Sequence, residues 1–320
     1  MNKLKLLIHS ILSITIACIC ILFFIKNSNS EFNLLAIINA ILDGWFYLIL
    51  ACILLIISVY CRVYRWEYLF DSSQVKSPNI LLRSQFIGYF INNIFPIRIG
   101  DLIRSYVISK NSNHKTSYII GSIAMERFLD ILMVCCFGLV VVWHYGMDYL
   151  EINYSSLPNF FYILCVVAII ASYLIYKYNF LIPDKIAKFF SELWKGFSDI
   201  KLTYKKYIIF YSIIIWVIYA LNVFLIQSIF NHFELSIFDC LLILVASSFL
   251  QMIPLGFGSI GIFHLGIQGA LNKLGIQDHN IFIIMLHLYS IMIYTLIGGY
   301  YFLISKELRI KQIYNNMYKN

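Results

Sequence analysis

The chain has 320 residues, 61% of them hydrophobic and only 12% charged, with a mean hydropathy of +0.81 and a formal net charge of +8. A soluble domain of this length has too little interior to hide so much apolar surface, and the apolar runs do not alternate as barrel strands do. Composition therefore points to an all-α polytopic membrane protein, a single membrane domain over 1–320 whose work is done in or at the bilayer.

The first apolar stretch, 4–25, is long enough to span, and no small-residue cleavage site follows it. It reads as an uncleaved helix rather than a signal peptide, with an external loop completing residues 1–43. Further spans are predicted at 44–62, 117–145, 160–177, 207–230 and 281–304, which makes six in all. Two other apolar regions are broken near their middles, 80–109 at "NNIFPIRIGD" and 241–274 at "QMIPLGFGSIG". Each arm is too short to span but long enough to reach the midplane. Pro removes a backbone donor and Gly permits a turn, so each region reads as a re-entrant helical hairpin with an unwound tip. The tip residues are Pro96 and Gly100 in the first, and Pro254, Gly258 and Gly261 in the second.

Charge placement supports this topology. With both termini cytoplasmic and each hairpin returning to its own side, Lys and Arg gather in the cytoplasm. Only Lys26 and Lys273 fall outside, and Arg98, Arg104 and Arg127 fall within the membrane. External loops carry acids such as Asp148, Glu151 and Glu234, a positive-inside pattern. Arg62, Arg65 and Trp66 close the second span and read as interface anchors. The segment 182–206 interleaves Lys with aromatics and reads either as a helix on anionic lipid or as a solvated loop.

The interruptions recur. Asn93, Pro96 and Gly100 return as Gln251, Pro254 and Gly258 at a constant offset of 158. Both halves, 44–145 (repeat A) and 207–304 (repeat B), read span, hairpin, span, with opposite orientation. Residues 146–206 connect them and 305–320 form a cytoplasmic tail. This is the pattern of an inverted repeat with a site where broken helices converge.

Arg98, Asp101, Arg104, Glu126, Arg127 and Asp130 all lie at bilayer depth. Each would cost about 2.5–3.5 kcal/mol if unpaired at a helix centre, so they must pair or line a polar cavity. Asp101 with Arg104, and Arg127 with Asp130, are three apart on one face, and the six charges sum to zero. Two arrangements fit: a neutral ion-pair lock between the first hairpin and the third span, or a cavity in which Arg side chains hold phosphate oxygens. For the second, Arg is suited to bidentate anion binding, and the half-helix starting at Gly100 aims backbone N–H groups at the tip. The second tip adds Ser259 and more N–H groups, with no acid. Asn92, Asn93 and Gln251 either satisfy unwound backbone or bind a headgroup. His264 and His287 are candidates for proton coupling if they meet. The eight Cys fall mostly inside apolar runs without a CxxC pair and read as buried small hydrophobes. No metal-ligand spacing, nucleophile elbow or P-loop is present, so no catalytic residue, metal or cofactor is assigned.

The segments "RVYRWEYLF", "FIGYFINNIFPIRIGDLIRSYVI", "SIAMERFLDIL" and "IPLGFGSIGIFHLGIQGALNKLG" together resemble the transmembrane, flippase-like family of the lysylphosphatidylglycerol synthases. The likeness runs over about residues 44–304. Asn93, Pro96, Arg98, Gly100, Asp101 and Arg104, then Glu126, Arg127 and Asp130, sit at one motif pair, and Pro254, Gly258 and Gly261 at another. Where the family carries Glu and often Arg, this chain has His264 and His287. The resemblance implies movement of a phospholipid or polyprenyl-phosphate-linked lipid between leaflets of the cell membrane, without a synthase domain and so without lysyl-phosphatidylglycerol synthesis. The alternatives are a non-transporting partner of a lipid- or glycan-modifying enzyme and, last, a membrane-embedded transferase. An anionic membrane surface and a homodimer are further expected partners; nucleic acid is not.

Overall fold

A computed structural model describes residues 34–95, 99–146, 184–199, 204–230, 234–251, 261–276 and 280–308. The expected spans 4–25 and 160–177 lie outside these residues, as do Pro96, Arg98, Pro254, Gly258 and Ser259. Among the described residues the secondary structure is helical, with one isolated bridge between Val75 and Ser112. Among the described residues, four helices are long and apolar enough to cross a membrane: α2 (Trp45–Glu67), α5 (Thr116–Tyr145), α7 (Lys205–Gln227) and α10 (Asn280–Ile304). They fall on four of the six expected spans. One difference appears upstream. Residues Leu34–Asp43, placed in an external loop, form helix α1. Its apolar positions recur at helical spacing, and Ile37 is buried in the core against the rest of the bundle.

Two helical hairpins lie between these spans. The first pairs α3 (Pro78–Ile94) with α4 (Gly100–Lys110). Pro78 occupies the first turn, where its missing N–H costs nothing, and α3 stops just before Phe95 and Pro96 because the residue before proline avoids helical geometry. The two arms touch backbone to backbone. A Cβ on Gly100 would lie 2.0 Å from the Gly88 carbonyl oxygen, so only glycine fits there. The second hairpin pairs α8 (Ile237–Gln251) with α9 (Ile262–Lys273), which starts after Gly261 at φ 90. At 1.5 Å per residue the arms measure roughly 16–26 Å, short of a ~30 Å hydrocarbon core.

Helix α5 touches the bases of both hairpins, at its two opposite ends. Thr116 at its start donates to Ser109 near the end of α4 (2.9 Å). At its finish, Tyr145 donates to Asp239, and His144 stacks on Phe238 at the start of α8. The hairpins therefore enter the bundle from opposite ends. Arg83 and Asn111 at the first base also hold Glu307, just past α10, at 2.7 and 2.9 Å. Helix α6 (Asp184–Ser198) lies across the start of α5, where Gly121 and Gly196 let the backbones touch. Phe189, Phe190 and Trp194 on α6 are exposed, as are Leu139 and Trp143 on α5. The main apolar core packs α7, α8, α9 and α10 together through Ile226, Ile243, Ile267 and Ile283.

Candidate functional site

The last two turns of α2 present Arg62 and Arg65, three apart, to Glu126 and Asp130, four apart on α5. Arg62 Nη1 lies 2.9 Å from Glu126 and 3.0 Å from Asp130, and Arg65 Nη2 lies 2.9 Å from Asp130. Arg62 also donates from Nε to the Tyr219 hydroxyl (2.9 Å), and Arg65 from Nη1 to Ser212 (3.2 Å). This corrects the sequence reading of both Arg residues as interface anchors. Both Arg side chains are buried, although Tyr64 between them on the same helix is exposed. Trp66 is fully buried, donates to Ser122 (3.0 Å) and lies 4.7 Å beneath the Arg104 guanidinium. The legible signal was the matching spacing of two bases on one helix and two acids on another.

The first hairpin adds the rest. Arg104 pairs with Glu126 at 2.9 Å, donates to Gln85 and sits 3.1 Å from Asp101. Arg127 holds Asp101 at two points, 3.0 and 3.3 Å, and lies 3.6 Å from Asp130. The expected pairs within α4 and α5 are thus present, but bridged by two Arg residues the expected neutral set of six did not include. Among the described residues the network holds four Arg and three acids, so it is positive rather than neutral.

The network has a sealed back and an open front. Side chains of Glu126, Arg65 and Arg104 are 0–1% exposed, whereas Arg127 is 41% and Asp101 32% exposed. Removing one partner from a sealed pair of this kind costs about 3–5 kcal/mol, because a charge is left buried alone. The front pair is partly exposed and is therefore held more weakly.

That front opens on a partly open cavity of about 450 Å³ lined by the hairpins and α2, α5, α7 and α10. Six of the sequence-predicted residues line it: Asn93, Asp101, Arg127, Asp130, Gln251 and His287. Arg104 and Glu126 stand behind its wall. Asn93 donates to Thr295 of α10 (3.1 Å). Gly100 N–H, expected to face an anion, is instead taken by Asn92 Oδ1 at 2.8 Å, which ties one arm of the hairpin to the start of the other. His287 Nδ1 and His264 Nε2 meet at 3.1 Å across α10 and α9, under the ring of Phe263. Tyr89, Tyr294, Tyr219 and Trp216 also line the cavity. In a chain with 24 Tyr and 26 Phe, no sequence signal singles these rings out.

A family model described as the lysylphosphatidylglycerol synthase TM region matches residues 10–298. A UPF0104 membrane protein of Methanocaldococcus jannaschii is 26% identical over 235 residues, covering 72% of this chain and 100% of that protein. No solved structure matches.

Proposed function

This chain belongs to the lysylphosphatidylglycerol synthase TM-region family, and from that premise we propose that it moves a lipid with an anionic headgroup between the leaflets of the cell membrane. The observation that carries this reading is the cavity, into which an exposed Arg127 projects in front of a sealed, net-positive network. The two hairpins are read as re-entrant, meeting at the midplane as the broken halves of an inverted repeat, with six spans in all and both termini cytoplasmic. An alternative role as partner of a lipid- or glycan-modifying enzyme needs no such cavity.

The exchange at Arg127 has a physical route. A phosphate oxygen pair fits the guanidinium fork as the Asp101 carboxylate does. When the headgroup displaces Asp101 from Arg127, the carboxylate still has Arg104 at 3.1 Å, so no acid is stranded. The acyl or prenyl tails stay in lipid while the headgroup crosses. Rocking of one half against the other exposes the cavity to each side in turn. Arg62, Arg65, Glu126 and Asp130 hold the geometry, and the His264–His287 pair is the candidate proton carrier at the cavity wall.

The test is scramblase-type transport in proteoliposomes carrying fluorescent phospholipid or polyprenyl-phosphate lipid. The wild type accelerates exchange over protein-free vesicles, and Arg127→Ala reduces it at least tenfold while the protein stays folded. Equal rates for wild type, Arg127→Ala and empty vesicles sink the proposal. Stoichiometric co-purification of an enzyme, together with that result, would favour the partner role.

A further inference from the structure

The cavity wall says more about its occupant than that it carries an anion. We propose that the headgroup is a sugar joined to its lipid through a single phosphodiester. This rests on the transport reading above and adds the identity of the headgroup.

The charges on the wall set the first limit. Arg62 and Arg127 face the cavity with Asp101 and Asp130, and both acids are already engaged by Arg at 3.0 Å or less. A cationic headgroup would have to compete with a guanidinium for either carboxylate. On the other side, Arg127 is the accessible guanidinium among the four of the network, since Arg62 is 8% exposed and Arg65 and Arg104 are sealed. One phosphodiester at Arg127 matches that supply.

The remaining polar groups are neutral and mixed in kind. Ser247 and Ser290 spend their hydroxyl protons on the Leu244 and His287 carbonyls, at 3.1 and 2.8 Å, so they offer lone pairs to the cavity. Asn93 gives one of its two amide hydrogens to Thr295 and retains the other together with its carbonyl oxygen. The carbonyl of Asn92 accepts from Gly100, which leaves its amide N–H groups to donate. A mixed set of donors and acceptors is what vicinal hydroxyls satisfy, because each hydroxyl both gives and receives. A trimethylammonium group or a bare chain offers neither.

The third feature is flat apolar surface beside those groups. Tyr89 of α3 and Tyr294 of α10 stack with ring centroids 4.3 Å apart, and Trp216 and Tyr219 also line the cavity. Aromatic faces beside hydroxyl and amide groups match a pyranose, whose ring has an apolar C–H face and a polar rim. A glycerol or ethanolamine headgroup has no ring to set there. At about 450 Å³ the space falls within the ordinary range for a small bound molecule.

The experiment uses the purified full chain in detergent, with water-soluble phosphodiesters as probes. These are methyl glucosyl phosphate, glycerophosphoglycerol and glycerophosphocholine, titrated by isothermal calorimetry. Expected is about tenfold tighter binding of the glucosyl diester than of either other probe, a gap of roughly 1.4 kcal/mol. Tyr294→Ala should erase that gap. The comparison among probes on wild type needs no variant, so a misfolded Tyr294→Ala leaves it decisive. Equal affinities, or a preference for glycerophosphocholine, overturn the proposal. The proteoliposome assay separates the two claims. Sugar-selective binding without lipid movement overturns the transport reading and keeps the site. Movement of phosphatidylglycerol with no sugar preference does the opposite.

Discussion

Glu126→Gln is the sharpest probe of the buried network. Glu126 lies 2.9 Å from both Arg62 and Arg104 and 3.6 Å from Arg65, and none of its side-chain surface is exposed. Neutralising it leaves four guanidiniums facing two carboxylates. Each lost contact is worth about 4 kcal/mol at an effective dielectric of ~20 and ~4 Å separation. The loss is partly offset because a neutral amide is easier to bury than a carboxylate. The net expectation is about 3–5 kcal/mol, as for other buried pairs broken on one side. At roughly 2–4 °C per kcal/mol for a chain of this size class, the melting temperature in detergent should fall by about 10 °C. Arg127→Gln supplies the contrast. Its side chain is 41% exposed, so it should cost about 1 kcal/mol or less and a few degrees at most. Glu126→Gln combined with Arg104→Met should recover part of the loss, because it removes a base along with the acid and refills the space over the Trp66 ring. The assay is thermal unfolding followed by size-exclusion chromatography. A Glu126→Gln protein melting within 1–2 °C of wild type, or Arg127→Gln melting lower than Glu126→Gln, would refute the picture of a sealed back and an open front.

Gly100→Ala should separate the arms of the first hairpin, because the added methyl would meet the Gly88 carbonyl at 2.0 Å; loss of folded yield is expected, while Gly269→Ala, with open space around it, should behave as wild type in the same expression test. If the His264–His287 contact carries a proton, wild-type transport should vary between pH 5 and 8, and His264→Gln or His287→Gln should flatten that profile; an unchanged profile removes the pair from the mechanism. Glu307 lies past the end of α10. Burial alone would raise its pKa, but hydrogen bonds from Asn111 and Arg83 hold it below the ordinary carboxylate value. A depressed folded value means the contact stabilises above the unfolded pKa of about 4.3 and is lost as pH falls through the lower folded value. The melting temperature of wild type should therefore drop more steeply than that of Glu307→Gln below pH 4.5, and parallel curves would contradict this.

Much of the fold was legible because the bilayer imposes a length rule. Four described spans fall where apolar runs of sufficient length predict them, and both interrupted regions form paired short helices. Helix α1 was missed because a ten-residue apolar stretch beside an expected external loop carries no length signal. Five of the seven network residues were legible too, because charges at bilayer depth are costly and spaced to pair. Arg62 and Arg65 were misjudged for a reason of position. Near the end of a span, an Arg is equally at home in a lipid interface or under other elements, and only Trp66, α4 and α5 packed around them decide for the second.

The amino-acid sequence alone determines the membrane class, the breaks in two apolar regions, the repeat of Asn93, Pro96 and Gly100 at Gln251, Pro254 and Gly258, and the presence of charges that must find partners. These follow from local chemistry: hydrocarbon length, helix breaking and desolvation cost. Tertiary structure decides which charges are sealed and which face space, that His264 and His287 meet, and that tyrosines from α3, α7 and α10 line one cavity. Those facts depend on how helices far apart in the chain pack against one another, and neither spacing nor composition encodes an exposure of 0% for Glu126 beside one of 41% for Arg127, its immediate neighbour.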